Sequence, residues 1–299
     1  MNFADIINLV FKYVKAYERN NTFQLASEET ENLVVALPKS DFLNLVEQMG
    51  IIPEKIVHDS KEEKLFTKVA EIVLARCFRE IGLKATLYST RGNTADIYAQ
   101  SVYHNYSLVA DAKTFRLSRT AKNQKDFKVE SMAIWRKDND YAVLCCPYFQ
   151  YPKSKSTIFK QAIDVNVSLF TWEYFHLLIS HGIKESLEVN LSKLWGYSRV
   201  LAQNIRYTSL NSNFLDRQNK FIVKAVNLPS LVINQMLARA KESTIARSKM
   251  ELAYLHGKLQ EIEDYSREQA IVELISALKI NEKINAIDAY INRIGGAPI

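Results

Sequence analysis

The stretch DYAVLCCPYF, residues 140–149, is apolar, β-branched and aromatic almost throughout, the pattern of a strand buried on both faces. Such a strand needs helices above and below its sheet, which directs the surrounding chain toward a layered α/β arrangement. The flanking sequence supplies those layers. SKEEKLFTKVAEIVLARCFREIG reads as a long helix: Ser60 and Glu63 form a capping box, Gly82 ends it, and Phe66, Val69, Val73 and Cys77 make one apolar face. LKATLYST, the turn RGN and the segment TADIYAQSVYHNYSLVADAKTF follow as three strands. After a basic segment come a helix in VESMAIWRKDN, the buried strand, a helix in STIFKQAIDVN, a strand in VSLFTW and a helix in EYFHLLISHG that stops at Gly182. The order over 60–180 is helix, three strands, helix, strand, helix, strand, helix, which predicts a mixed sheet flanked by helices.

The ends of the chain read differently. Residues 1–57 are helical and auxiliary: Ile6, Ile7, Val10, Phe11 and Val14 recur at helical spacing, and KSDFLNLVEQMG offers Ser40 as an N-cap with Gly50 and Pro53 as stops. Beyond about residue 185 the signal is mostly helix. Ile245, Leu252, Leu255, Leu259 and Ile262 lie close to heptad spacing, and Ser266 with Gln269 makes a second capping box. The expected division is therefore 1–57, a core over 58–184, and a helical region over 185–299. No apolar run reaches the ~18–20 residues of a membrane span. The N-terminal helix lacks the marks of a signal peptide. Three cysteines, Cys77, Cys145 and Cys146, without metal-ligand spacing point to reduced thiols in a core and a cytoplasmic protein. A net charge of +6 hints at a polyanionic partner.

The chemistry concentrates where charge enters the apolar strands. Leu108, Val109 and Ala110 lead directly into Asp111-Ala112-Lys113. Side chains alternate along a strand, so Asp111 and Lys113 share a face with Ala112 opposite. Asp96 on the neighbouring strand is placed to approach Asp111. Two buried carboxylates that close repel, and one takes up a proton unless a cation sits between them. A hard divalent ion such as Mg²⁺ suits that oxygen-rich setting, with the Ala112 carbonyl as a further ligand and Lys113 facing the outer waters.

Asp96, fourteen intervening residues, then Asp111-Ala112-Lys113 resembles the PD-(D/E)XK nuclease pattern, together with the helix and hairpin before it. More narrowly, RGNTAD, LVADAKTFRLSRTAKNQKDFKV, DYAVL, YFQYP and LFTWE are similar to HindIII-type type II restriction endonucleases, most closely over Val109–Val129. Ala95 stands where the wider family usually has proline. The resemblance implies the restriction-endonuclease-like core fold and a homodimer that hydrolyses duplex DNA with Mg²⁺, Mn²⁺ being a substitute. It also implies the palindrome AAGCTT, cut after the first A to leave 5′ overhangs, and a companion methyltransferase acting on the same site. Asp96 and Asp111 would be the metal ligands with the Ala112 carbonyl, and Lys113 would position the attacking water. Glu63 is a further candidate, since many of the family carry a helical glutamate near the metal; closing its capping box is the equally weighted alternative. Glu71 projects opposite Val69, toward solvent.

Segment 116–128 leaves the D-x-K strand directly. It carries Arg116, Arg119, Lys122, Lys125 and Lys128 against one acid, Asp126. Such cations give affinity through phosphates. Asn123 and Gln124 suit adenine, Arg119, Lys122 or Lys125 suit guanine, and Asp126 suits the cytosine amino group. A palindrome read by one short segment needs two copies about a two-fold axis, and the long C-terminal helix could be their seam or could pack within its own chain. His58, His104, His176, His181 and His256 show no ligand spacing. The rival readings are a repair or recombination nuclease of the same superfamily and a DNA-binding protein without catalysis.

Overall fold

The computed structural model describes residues 3–16, 22–88, 94–119, 124–152, 156–204 and 210–293. The chain divides into two compact units, 1–248 and 249–299. In chain order the first unit opens with α1 (Phe3–Ala16), α2 (Thr22–Ala36), α3 (Lys39–Gln48) and α4 (Lys61–Glu80), followed by β1 (Lys84–Leu87), β2 (Ile97–Gln100) and β3 (Ser107–Ala112). Then come α5 (Gln124–Phe127), α6 (Val129–Trp135), β4 (Tyr141–Cys146), α7 (Ile158–Asp164), β5 (Val167–Thr171) and α8 (Trp172–Ser180). Helices α9 (Ser192–Trp195), α10 (Tyr197–Asn204) and α11 (Leu210–Ala225) lead to α12 (Leu231–Glu263), which runs on into the second unit, with α13 (Arg267–Ala277) and α14 (Ile280–Arg293).

The five strands lie side by side in the order β1-β2-β3-β4-β5. β1, β2 and β3 are antiparallel neighbours, while β3, β4 and β5 run parallel. The mixed sheet expected from the sequence is therefore present, and β4 sits inside it with every residue from Ala142 to Cys146 buried. Alternation divides its contacts between two cores. Val143 and Cys145 join Leu108, Ala110 and Phe170 in one, with Phe66, Val69 and Val73 of α4. Ala142, Leu144 and Cys146 join Val109, Phe127, Met132 and Phe159 in the other. All three cysteines are free and buried. No described helix is long and apolar enough to cross a membrane.

The N-terminal helices belong to the same unit. Ile6, Ile7 and Val10 of α1 are buried in the α4 core, and α3 begins at Lys39 behind Pro38, one residue ahead of the Ser40 cap read from the sequence. Past α3 the chain reaches the end of β3. The Phe115 amide donates to the Gly50 carbonyl at 3.1 Å, and Ile52 donates to the Phe115 carbonyl at 3.1 Å. Gly50 is required by close approach, since a Cβ there would lie 2.1 Å from Pro147 Cγ and 2.9 Å from Trp172 Cδ1. Gly50→Ala is expected to cost about 1–3 kcal/mol through forced displacement of these rings, read as a lower urea midpoint at unchanged slope.

Candidate active site

The hairpin register places the two carboxylates. The ladder ends with Ile97 opposite Ala110; Asp96, just before it, donates its amide to the same Ala110 carbonyl at 3.1 Å, and its carboxyl hydrogen-bonds to that of Asp111. Asp111 is buried, and Lys113, two residues on, turns its ammonium onto Asp111 Oδ2. The Lys113 amide donates to the Cys145 carbonyl at 2.7 Å, which ties the end of β3 to β4. Ala112, the last residue of β3, points the other way into the α4 core.

Electrostatics follow from this packing. Burial pushes the Asp96 carboxyl up to about 10, assisted by the charge of Asp111 and the hydrogen bond between the two acids. Burial acts on Asp111 in the same sense, but the Lys113 ammonium and the hydrogen bond from Asp96 outweigh it and hold Asp111 below the usual carboxylate range. Without a metal ion, then, the pair carries one proton. Asp111 Oδ2 is met by the Lys113 ammonium. Two buried carboxyls that must share a proton, at a strand end that also offers a carbonyl, fit a hard divalent cation in place of that proton.

Glu63 is committed elsewhere. Its carboxylate takes the Asp59 amide at 2.7 Å and the Arg116 guanidinium at 2.7 Å, while its own amide donates to the Ser60 hydroxyl at 3.1 Å. Burial raises this carboxyl, and the Asp59 amide and Arg116 more than reverse the effect. His58, Asp59 and Glu63 offer ligand atoms within 4.8 Å of one another, although His58 and Asp59 are largely exposed. The helical acid that acts electrostatically on Asp96 is Glu71, which raises its pKa. Glu71 does not face solvent as its helical angle suggested; it is largely buried and pairs with Lys68 at 2.7 Å.

The basic segment is partly used in folding. Arg116 spans Glu63 and the Pro53 carbonyl, at 3.0 Å from the latter. Arg119 pairs with Asp126 at 2.6 Å and lies over the Phe115 ring. Lys122 and Asn123 fall outside the described residues; Gln124 opens α5, its side chain outside the description. Lys125 and Lys128 are exposed and line a recess of about 370 Å³ with Val129, Glu130, Ser131 and Gln161. Lys128 has left-handed backbone at φ 51°, and its charge contributes to holding Asp111 ionised, a link that the sequence alone does not reveal. Arg116→Ala is expected to lose about 1–3 kcal/mol of stability by stranding Glu63. It should leave the salt dependence of DNA binding unchanged; a slope lower by about one ion would instead make Arg116 a phosphate contact.

The model of the family described as HindIII restriction endonuclease matches residues 6–290 of the chain. The chain belongs to the HindIII restriction endonuclease family. Within it, the chain is 38% identical over 275 residues to the type II restriction enzyme HindIII of Haemophilus influenzae, covering 92% of each sequence. The two acids at the β2–β3 end and the lysine beside them combine oxygen donors with an ammonium. The five-stranded sheet with helices on both faces is the core expected of a restriction endonuclease.

Proposed function

We propose that this chain is a homodimeric, Mg²⁺-dependent type II endonuclease that cuts duplex DNA at AAGCTT after the first A, leaving four-base 5′ overhangs. The observation that carries the chemistry is the meeting of the Asp96 and Asp111 carboxyls at the end of the β2–β3 hairpin with the Lys113 ammonium against Asp111. The recognition sequence rests on the likeness to HindIII, spread over 92% of both chains. Asp96, Asp111 and the Ala112 carbonyl would hold the ion, with Mn²⁺ as a substitute. When bound, it supplies Lewis acidity toward the phosphate and offsets charge growing on the departing 3′ oxygen.

The protein's own groups do the rest. Lys113, anchored through its amide to Cys145 and set against Asp111, would position the attacking water. Lys128 holds a flanking phosphate from the recess beside α6. Arg119, Lys122, Asn123, Gln124, Lys125 and Asp126 are the base-reading set, and their two-fold repetition in the dimer matches the palindrome. Arg116 contributes by holding the start of this segment against Glu63. The enzyme acts in the cytoplasm beside a methyltransferase that protects the same sequence.

Digestion of a plasmid of known sequence with Mg²⁺ or Mn²⁺, followed by sequencing of the ends, tests this directly. Every terminus should begin AGCT at its 5′ end. Heterogeneous or branch-dependent nicks would move the protein to repair or recombination, and binding without cutting under both ions would make it non-catalytic.

A further inference from the structure

The exposed apolar side chains of this protein are unevenly spread. Among the described residues, fourteen of the twenty-seven large hydrophobics that stand exposed lie between Met250 and Tyr290. In the first unit α12 behaves as a core helix, burying Ile233, Met236 and Ala240 on one face. Further along the same helix, Ile245, Leu252 and Leu259 recur every seven residues, Leu255 and Ile262 follow the last two by three, and all five are exposed. That is the a and d stripe of a coiled-coil seam without its other half. α13 buries none of its residues.

We infer that the α12 stripe, with the apolar faces of α13 and α14, is an interface that takes a second copy of this chain. The choice of occupant rests on the two-strand cleavage proposed above, which needs two active sites about a two-fold axis; a two-fold contact pairs the same surface with itself. Size supports it. Together the fourteen side chains present on the order of 1,000 Å² of apolar surface, comparable with the ~800 Å² per partner of a stable complex. Charge supports it as well: Lys249, Lys258 and Glu263 flank the stripe, so a second copy brings both signs to its edges.

The test is sedimentation equilibrium of the full chain without DNA or metal. Wild type should be a dimer, and the double variant Leu252→Glu with Leu259→Glu should be monomeric, its dissociation constant raised at least a hundredfold, with unchanged helical circular dichroism. Leu252→Ala with Leu259→Ala should weaken the dimer about tenfold, guarding against a folding defect in the charged pair. Leu187→Glu, at a still more exposed apolar position in the first unit, should leave it intact. A monomeric wild type, or a glutamate pair that remains dimeric, overturns the assignment. Neither readout involves DNA cutting, so failure of the nuclease reading would show separately, as intact plasmid in the presence of a dimer.

Discussion

Asp111→Asn is expected to lower single-turnover cleavage by roughly a thousandfold or more while leaving DNA binding within a few-fold of wild type. An amide fills the same space but cannot neutralise a divalent cation, so several kcal/mol of transition-state charge stabilisation is lost, and each 1.36 kcal/mol is a factor of about ten. Binding is spared because the exposed cations Lys125 and Lys128 keep their charge, and Lys128 is relieved of the attraction of Asp111. Folding is spared because the amide keeps the size and polarity of the carboxylate. Lys113 loses its charge partner, and the Asp96 carboxyl, relieved of the Asp111 charge, comes down only in part because burial is the larger cause of its rise. Cleavage assays in Mg²⁺, binding isotherms in Ca²⁺ and thermal melts together decide it. Cutting that persists, or binding that disappears together with the fold, would mean that the charge at 111 is structural.

Much of this site was legible because strand geometry is local. Alternation alone put Asp111 and Lys113 on one face, and the short hairpin kept Asp96 within hydrogen-bond reach of Asp111. Long-range pairing was not legible. Arg116 sits in a run of cations that resembles a phosphate-binding segment, yet it is held by Glu63, 53 residues earlier, and nothing in either neighbourhood announces that contact. Glu71 shows a different limit. Its position opposite Val69 implies solvent only for a helix with one covered face. α4 is enclosed nearly all round, with Leu65, Ile72, Leu74 and Ala75 buried as well as Phe66 and Val69, so its far side is interior too. The helical acid that acts on the Asp96–Asp111 pair is accordingly Glu71, and Glu63 serves the helix start and the Arg116 tie.

The second large effect concerns the shared proton. Cation affinity should rise about tenfold per pH unit between pH 6 and 9, roughly a thousandfold in all, because Asp96 must ionise before it can act as a ligand and its carboxyl is held up at about 10. The same shift sets the sign for stability. The folded pKa lies above the unfolded value of about 3.9, so the favourable contribution is complete below about pH 4 and is lost as pH climbs through 10. The metal-free protein should therefore weaken by up to about 1.4 kcal/mol per pH unit across that window, whereas the protein saturated with Mg²⁺ should not, the ion having replaced the proton. Asp111 titrates on the acid side and does not cancel this slope. Calorimetry in buffers of different ionisation enthalpy should register close to one proton released per ion bound, and Asp96→Asn should abolish both the release and the slope. Affinity that stays level from pH 6 to 9 would show that both carboxylates are already ionised, and the opposed pair would then need some other cation, Lys113 included, to make it tolerable.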